Sequence, residues 1–188
     1  MADLFTFIGG EVGNWKITRM ESVVGTTLEP VARVDMYNGS LSTLPAKATW
    51  LLRGVVSYER YVTKEEKNKL STASPPLGRL EATCAALIPV HKSATWWAMT
   101  PDERRTIFEE RSHHIATGLK YLPAVARRLH HCRDLGEPFD FITWFEYAPK
   151  DKEVFEELVI TLRRTEEWIY VDREIDIRLV WDSRVVKQ

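Results

Sequence analysis

Near the C-terminal end of the chain, Ile175, Ile177, Leu179 and Trp181 mostly alternate with polar residues, which predicts a half-buried strand over Glu174 to Trp181. Just upstream the period changes: Val154, Phe155, Leu158, Val159 and Leu162 recur at helical spacing and predict a helix over Asp151 to Arg163. Phe139 to Tyr147 reads as a strand, as do Ala82 to Val90, with His91 and Lys92 at its exit, and a long aromatic and β-branched run from Thr49 to Val62. Thr63 with Glu66 forms a capping box that opens a short polar helix, followed by a loop at Ser74, Pro75 and Pro76. Thr100, Pro101 and Glu103 carry the start signals of a helix running to about Gly118. A second helical stretch is read over Leu122 to His131, opened by Pro123 and followed by the breakers Gly136 to Pro138. Residues 1–45, punctuated by glycines and Pro30, read as short strands and loops. Aromatic-rich, partly two-faced strands interleaved with helices point to an α+β fold, with antiparallel sheets and helices on one face.

With 188 residues, 44% of them hydrophobic and 28% charged, the chain has the composition of an ordinary globular protein with room for a real core. Lys and Arg number 26 against 27 acids, a net charge of −1, so no global pull towards nucleic acid or an anionic membrane exists. A small anionic ligand needs local positive charge. Cys84 and Cys132 have no metal-site spacing and read as reduced thiols. No secretory leader and no membrane-spanning run is legible, and the expected compartment is the cytoplasm.

Of the five histidines, His114 has the strongest claim to be a ligand. On a continuous helix it lies two turns after Ile107 and one turn before Gly118, where a glycine would let a flat ring approach. His113 is rotated only about 100° from it, so the helical wheel alone does not separate the two. His130 and His131 sit near the end of the second helical stretch, where a partial positive charge is favoured without any function. On that stretch Leu122, Val125 and Leu129 mark an apolar face, and Arg127 falls roughly opposite it.

The run Ser112-His113-His114-Ile115-Ala116-Thr117-Gly118-Leu119-Lys120-Tyr121-Leu122-Pro123 resembles the chlorite dismutase family of haem proteins. So do Arg127 to Glu137, Phe139 to Tyr147 and Thr165-Glu166-Glu167-Trp168, in the same order, and the likeness extends over roughly Thr49 to Val180. The resemblance implies a pair of ferredoxin-like lobes of the dimeric α+β barrel type. The first, over residues 1–80, would be truncated; the second, over 81–188, would hold one haem b per subunit; and the chain would form a homodimer. It further implies that His114 is the iron ligand, that Glu167 accepts a hydrogen bond from its other ring nitrogen, that Lys92 belongs to the same network, and that Arg127 faces the substrate. A carboxylate behind a ligating imidazole makes it a more basic donor, and an arginine presents a fixed fork of donors to an oxyanion.

The activity implied is conversion of chlorite to chloride and dioxygen through a ferryl and hypochlorite intermediate. Two alternatives stand beside it. A coproheme decarboxylase of haem biosynthesis is disfavoured by Arg127, and a non-catalytic haem-binding or haem-sensing dimer stays open. Ser74 departs from the family pattern, in which short relatives often carry a longer amide side chain near the distal arginine; a serine leaves Arg127 room to move. Trp96 and Trp97 either line the haem region or serve the core.

Overall fold

The computed structural model describes residues 3–41, 43, 45–56 and 61–182. Its eight strands are β1 (Leu4–Gly10), β2 (Trp15–Val24), β3 (Arg33–Asn38), β4 (Ala48–Val56), β5 (Cys84–Lys92), β6 (Val125–His131), β7 (Phe141–Tyr147) and β8 (Val171–Trp181). Every pairing is antiparallel, and among the described residues the order β1-β3-β2-β8-β5-β7-β6-β4 closes back on β1 to form one barrel. Strand alternation divides the apolar residues between two cores. Phe7, Leu52, Leu87, Trp144, Ile177 and Leu179 share one cluster, while Ala86, Ile88, Val90 and Phe145 from the opposite faces of β5 and β7 share the other.

The second core is completed by helices. Phe155, Leu158, Val159 and Leu162 of the helix Lys152–Arg163 are buried there, each side chain contributing roughly 1.5–3 kcal/mol on transfer from water. The helices are α1 (Lys64–Ala73), α2 (Ala94–Ala98), α3 (Pro101–Arg105), α4 (His114–Lys120) and α5 (Lys152–Arg163). The capping box at Thr63 and Glu66 forms: Oε2 of Glu66 accepts the Thr63 N–H at 2.7 Å, and the Thr63 hydroxyl accepts that of Glu66. Cys84 and Cys132 are free thiols. The long strand expected from Thr49 to Val62 is observed over Ala48–Val56; residues 57–60 lie outside the described residues, and Tyr61 and Val62 are not part of a strand.

Three expectations are overturned. The stretch Leu122 to His131 is not a helix: Val125–His131 is strand β6, paired with β7 from Val125↔Tyr147 to His131↔Phe141. Leu122, Val125 and Leu129 fit a helical face, but the neighbouring edge of β7 offers a full ladder of backbone partners, and tertiary pairing overrides the local pattern. His130 therefore sits at no helix end. Burial lowers its pKa from the ordinary histidine value to about 4, so it is neutral rather than a favoured cation.

Second, the helix expected from Thr100 to Gly118 is broken. Its first turn, α3, passes into a π-helical turn over Thr106–Arg111, and His113 takes a left-handed conformation (φ 50°) before α4 begins at His114. Third, β8 is buried on both faces. Glu174, Asp176 and Arg178, the polar half of the alternation, lie under α5, where Arg163 bridges Glu174 at 2.6 Å and Asp176 at 2.9 Å, and Arg178 reaches Glu156 at 2.7 Å. Charge pairing, not solvent, accounts for that polar face.

Candidate functional site

The break before α4 aims His114. Six residues of π-helical turn and one left-handed residue reset the helix direction, and the Glu109 carboxylate caps the new start, accepting the N–H of Ile115 at 2.6 Å and of Ala116 at 3.2 Å. The His114 ring then lies between Phe108, with centroids 4.4 Å apart and planes at 25°, and Trp168 at 6.3 Å and 17°. Its Nδ1 is 2.7 Å from Oε2 of Glu167. His113, its neighbour, is exposed.

Glu167 sits in a 3₁₀ turn (Glu166–Tyr170) after α5, is 4% exposed, and donates its own N–H to the Ser112 hydroxyl at 2.9 Å. Its second oxygen accepts from Lys92 Nζ at 2.8 Å, and Lys92 is 3% exposed. Burial pushes the Glu167 carboxyl up, but the Lys92 ammonium, and then His114, outweigh it and hold the group at about 2. The Lys92 ammonium also lies 4.6 Å above the Trp96 ring and 5.3 Å from that of Trp168. A buried pair of this kind costs about 3–5 kcal/mol to break from one side, so it behaves as a unit.

Lys92 is itself held from behind. The ladder between β5 and β8 slips between His91 and Lys92, and the Lys92 N–H turns to Oδ2 of Asp140, at 2.6 Å, a carboxylate that is 2% exposed. The same oxygen accepts from the Trp97 indole at 3.0 Å, and Oδ1 accepts from Arg133 at 3.2 Å. A chain Asp140–Lys92–Glu167–His114 thus runs from the end of the barrel to one imidazole.

His114 faces an open cavity whose other wall is the outer face of β5, β6 and β7, with Ile88, Leu129 and Phe145 among its lining residues. Arg127 is on that wall. As a strand residue it shares a face with Val125 and Leu129, so it points with the apolar side chains into the cavity rather than away from them. Its guanidinium packs against α4 at Gly118: a Cβ built there would fall 2.7 Å from Arg127 Cζ and closer still to its nitrogens. The glycine that seemed suited to a flat ring accommodates this arginine instead. Ser74, at the end of α1, also lines the cavity.

The chlorite dismutase family model matches residues 33–180. The chain belongs to the chlorite dismutase family. It is 56% identical to the dimeric chlorite dismutase of Nitrobacter winogradskyi, whose structure superposes with a TM-score of 0.88 over 95% of this chain and 99% of that one. A chlorite dismutase variant from Candidatus Nitrospira defluvii, at 21% identity, shares the fold with a TM-score of 0.69 over 97% of this chain and 92% of that one. The chlorite dismutase of Ideonella dechloratans is 31% identical over 123 residues, 62% of this chain but only 39% of that longer protein.

Of the residues singled out in the sequence, the structure brings His114, Glu167 and Lys92 into one hydrogen-bonded chain and sets Arg127 on the same cavity. Trp96 and Trp97 belong to the lysine's surroundings, one under its ammonium and one on Asp140. Asp140, Glu109 and Ser112 were missed. Asp140 had a signal: one acid between Phe139 and Phe141 at the mouth of a strand is an acid that must find donors. Glu109 and Ser112 act through a helix break that no local pattern announces.

Proposed function

We propose that the chain binds one haem b per subunit and converts chlorite to chloride and dioxygen. The observation that carries this is the His114 imidazole, backed by a buried carboxylate–lysine pair and presented to an apolar cavity lined also by Arg127. The donor set fits haem better than a bare ion: among the described residues no group of three or more His, Cys, Asp or Glu is placed to hold a metal, whereas a porphyrin needs one axial imidazole. The cavity has the apolar lining with a few polar groups that is typical of a cofactor pocket.

A haem held by His114 would supply the iron redox chemistry that oxygen-atom transfer from chlorite requires. The residues do the rest. Glu167 accepts the Nδ1–H of His114, which fixes the tautomer, leaves Nε2 for the iron and makes the imidazole a stronger donor. Lys92 keeps the carboxylate ionised in a buried site. Arg127, permanently charged, binds the oxyanion and retains hypochlorite in the cavity until it reacts. That role argues against the coproheme decarboxylase alternative. As in the Nitrobacter protein, we read the assembly as a homodimer, and its compartment as the cytoplasm; among the described residues no helix is long and apolar enough to cross a membrane. We also retain two lobes, 1–80 and 81–188. In the second, β5 to β8 follow a β-α-β-β-α-β order with the sheet arranged β8-β5-β7-β6, the ferredoxin-like pattern.

The test is direct. Haem-loaded protein given chlorite releases dioxygen at an electrode; haem retention without dioxygen would instead select the non-catalytic haem-binding dimer.

A further inference from the structure

Resting on that reading, we propose that Glu174 is a second positioning carboxylate of the site, which sets the plane of the His114 ring by holding the Trp168 indole stacked against it. Glu167 alone does not fix that plane. It meets the imidazole at one atom, Nδ1, and a single hydrogen bond leaves a ring free to turn about the bond's own line. The rotation is limited by the rings on either side, Phe108 and Trp168. These two differ: Phe108 has no polar atom by which to be held, whereas Trp168 offers an indole N–H. That N–H donates to Oε2 of Glu174 at 2.7 Å. The indole plane lies 17° from that of the imidazole with centroids 6.3 Å apart, within the range of offset ring contacts.

Glu174 is itself anchored. It stands on β8, is 1% exposed, and its other oxygen, Oε1, accepts both Nε and Nη2 of Arg163, at 2.8 Å and 2.6 Å. Both arginine donors fall on one oxygen, so the second oxygen is left for the indole. Nη2 also reaches Asp176 at 2.9 Å, which ties the arginine to the strand. Arg163 closes α5, Trp168 follows it in the 3₁₀ turn, and both line the His114 cavity together with Glu174. A carboxylate that only pinned α5 to the barrel would need the arginine and nothing more; the bond to the indole gives it a path to the imidazole. Lys92 connects the two carboxylates, since its ammonium bonds Glu167 and lies 5.3 Å from the Trp168 ring. His114 thus has one carboxylate at its edge and a second acting on its face through Trp168.

The readout is the ferric EPR spectrum of the haem-loaded protein, whose rhombic splitting follows the orientation of the axial imidazole plane and not the stability of the fold. In Glu174→Gln the grip on the indole weakens, so the splitting changes or spreads, and haem passes to an apoprotein acceptor about tenfold faster, the low end of what losing an outer partner costs a metal site. Glu174→Asp keeps a charge for Arg163 but draws the carboxylate back from the indole; it gives the same spectral change, and it decides alone where the glutamine variant does not fold. Trp168→Phe, which retains a ring without the N–H, also alters the splitting, and Glu174→Asp added to it alters nothing further. Asp176→Asn is the structural control: it weakens the charge cluster under α5, lowers the melting temperature and leaves the splitting at its wild-type value. An unaltered splitting in Glu174→Asp, a further change when it is added to Trp168→Phe, or an equal change in Asp176→Asn would overturn the proposal and leave the haem reading standing. Failure of the wild-type protein to take up haem would overturn both.

Discussion

The two walls of the cavity are built on opposite principles. On the helix side each link of the chain from Asp140 to His114 is a hydrogen bond of 2.8 Å or less, and the two central members, Lys92 and Glu167, are 3% and 4% exposed. On the strand side Arg127 is half-buried, lines the cavity and rests on a glycine. A saturated buried network resists displacement because each broken bond strands a charge in low dielectric. A long side chain on an open wall has several rotamers within reach. The difference matches the division of labour proposed for the site: the iron ligand must not move, whereas the group that meets and holds a transient anion must.

The largest effect should come from removing the end of the fixed wall. His114→Ala is expected to lose the Soret band of bound haem altogether after desalting. The control needs care, because His113 has φ 50°, which glycine tolerates and alanine does not. His113→Gly should therefore keep near-wild-type haem occupancy. Retention of a normal Soret band by His114→Ala would remove the ligand assignment.

Next in size is a test of the adaptable wall. In Gly118→Ala the new methyl group collides with the Arg127 guanidinium, while alanine improves the intrinsic helix propensity by about 1 kcal/mol. Haem uptake and stability should hold. Total dioxygen released per haem should fall about tenfold, towards the value for Arg127→Ala, a modest part of the roughly 4 kcal/mol that a charge pair at about 4 Å can supply at a dielectric of about 20. A hypochlorite scavenger should restore much of the loss in both variants. Unchanged turnover without scavenger protection would mean that Arg127 works from another seat, and that the strand wall alone positions it.

The same contrast explains what could be read in the sequence. Strands with strong alternation or flanking breakers, such as Phe141–Tyr147, and α5 with its five apolar residues at helical spacing, follow from local pattern because burial and period agree there. Arg127 did not: on a helical wheel it falls opposite Val125 and Leu129, on a strand it joins them, and only pairing with β7 decides between the periods. His114 was singled out by a line through Ile107 and Gly118 on a continuous helix, but the helix is broken between them, so the geometry behind that line does not exist. The motif around His114 carried the choice. Lys92 looked like a charge at a strand exit, and what places it is a bulge bonded to a residue 48 positions away, a long-range contact with no local trace.

A smaller effect is expected when the carboxylate of the fixed wall is neutralised without being shortened. Glu167→Gln leaves an acceptor for Nδ1 of His114 but removes the negative charge that makes the imidazole a strong donor. Ferric iron is then less stabilised, and the haem reduction potential should rise by some tens of millivolts, a change of the size tuned by hydrogen bonding around axial ligands. An unchanged potential in spectroelectrochemical titration would place Glu167 outside the ligand's influence.

The smallest effect, and the sharpest test of how far the fixed wall extends, is at Asp140. In the wild type, burial works to raise the Glu167 pKa and Lys92 is the largest influence opposing it, so the carboxylate stays ionised well below ordinary carboxylate values. The reduction potential should therefore be nearly flat from about pH 8 to about pH 5, since Glu167 does not take up a proton in that range. Asp140 touches neither the imidazole nor Glu167; it holds the Lys92 backbone at the bulge and the Trp97 indole beside it. In Asp140→Ala, Lys92 loses that hold and its ammonium sits less firmly on Glu167. The carboxyl then drifts up towards, or past, its unperturbed value, because burial is no longer fully opposed. As the pH falls, protonation removes the push on His114, so the variant's potential should climb with acid while that of the wild type does not. Asp140→Asn, which keeps an oxygen for the Lys92 N–H, should lie between them. A variant that melts at lower temperature but keeps a flat potential would show that Asp140 only stabilises the barrel end, and that the fixed wall stops at Lys92.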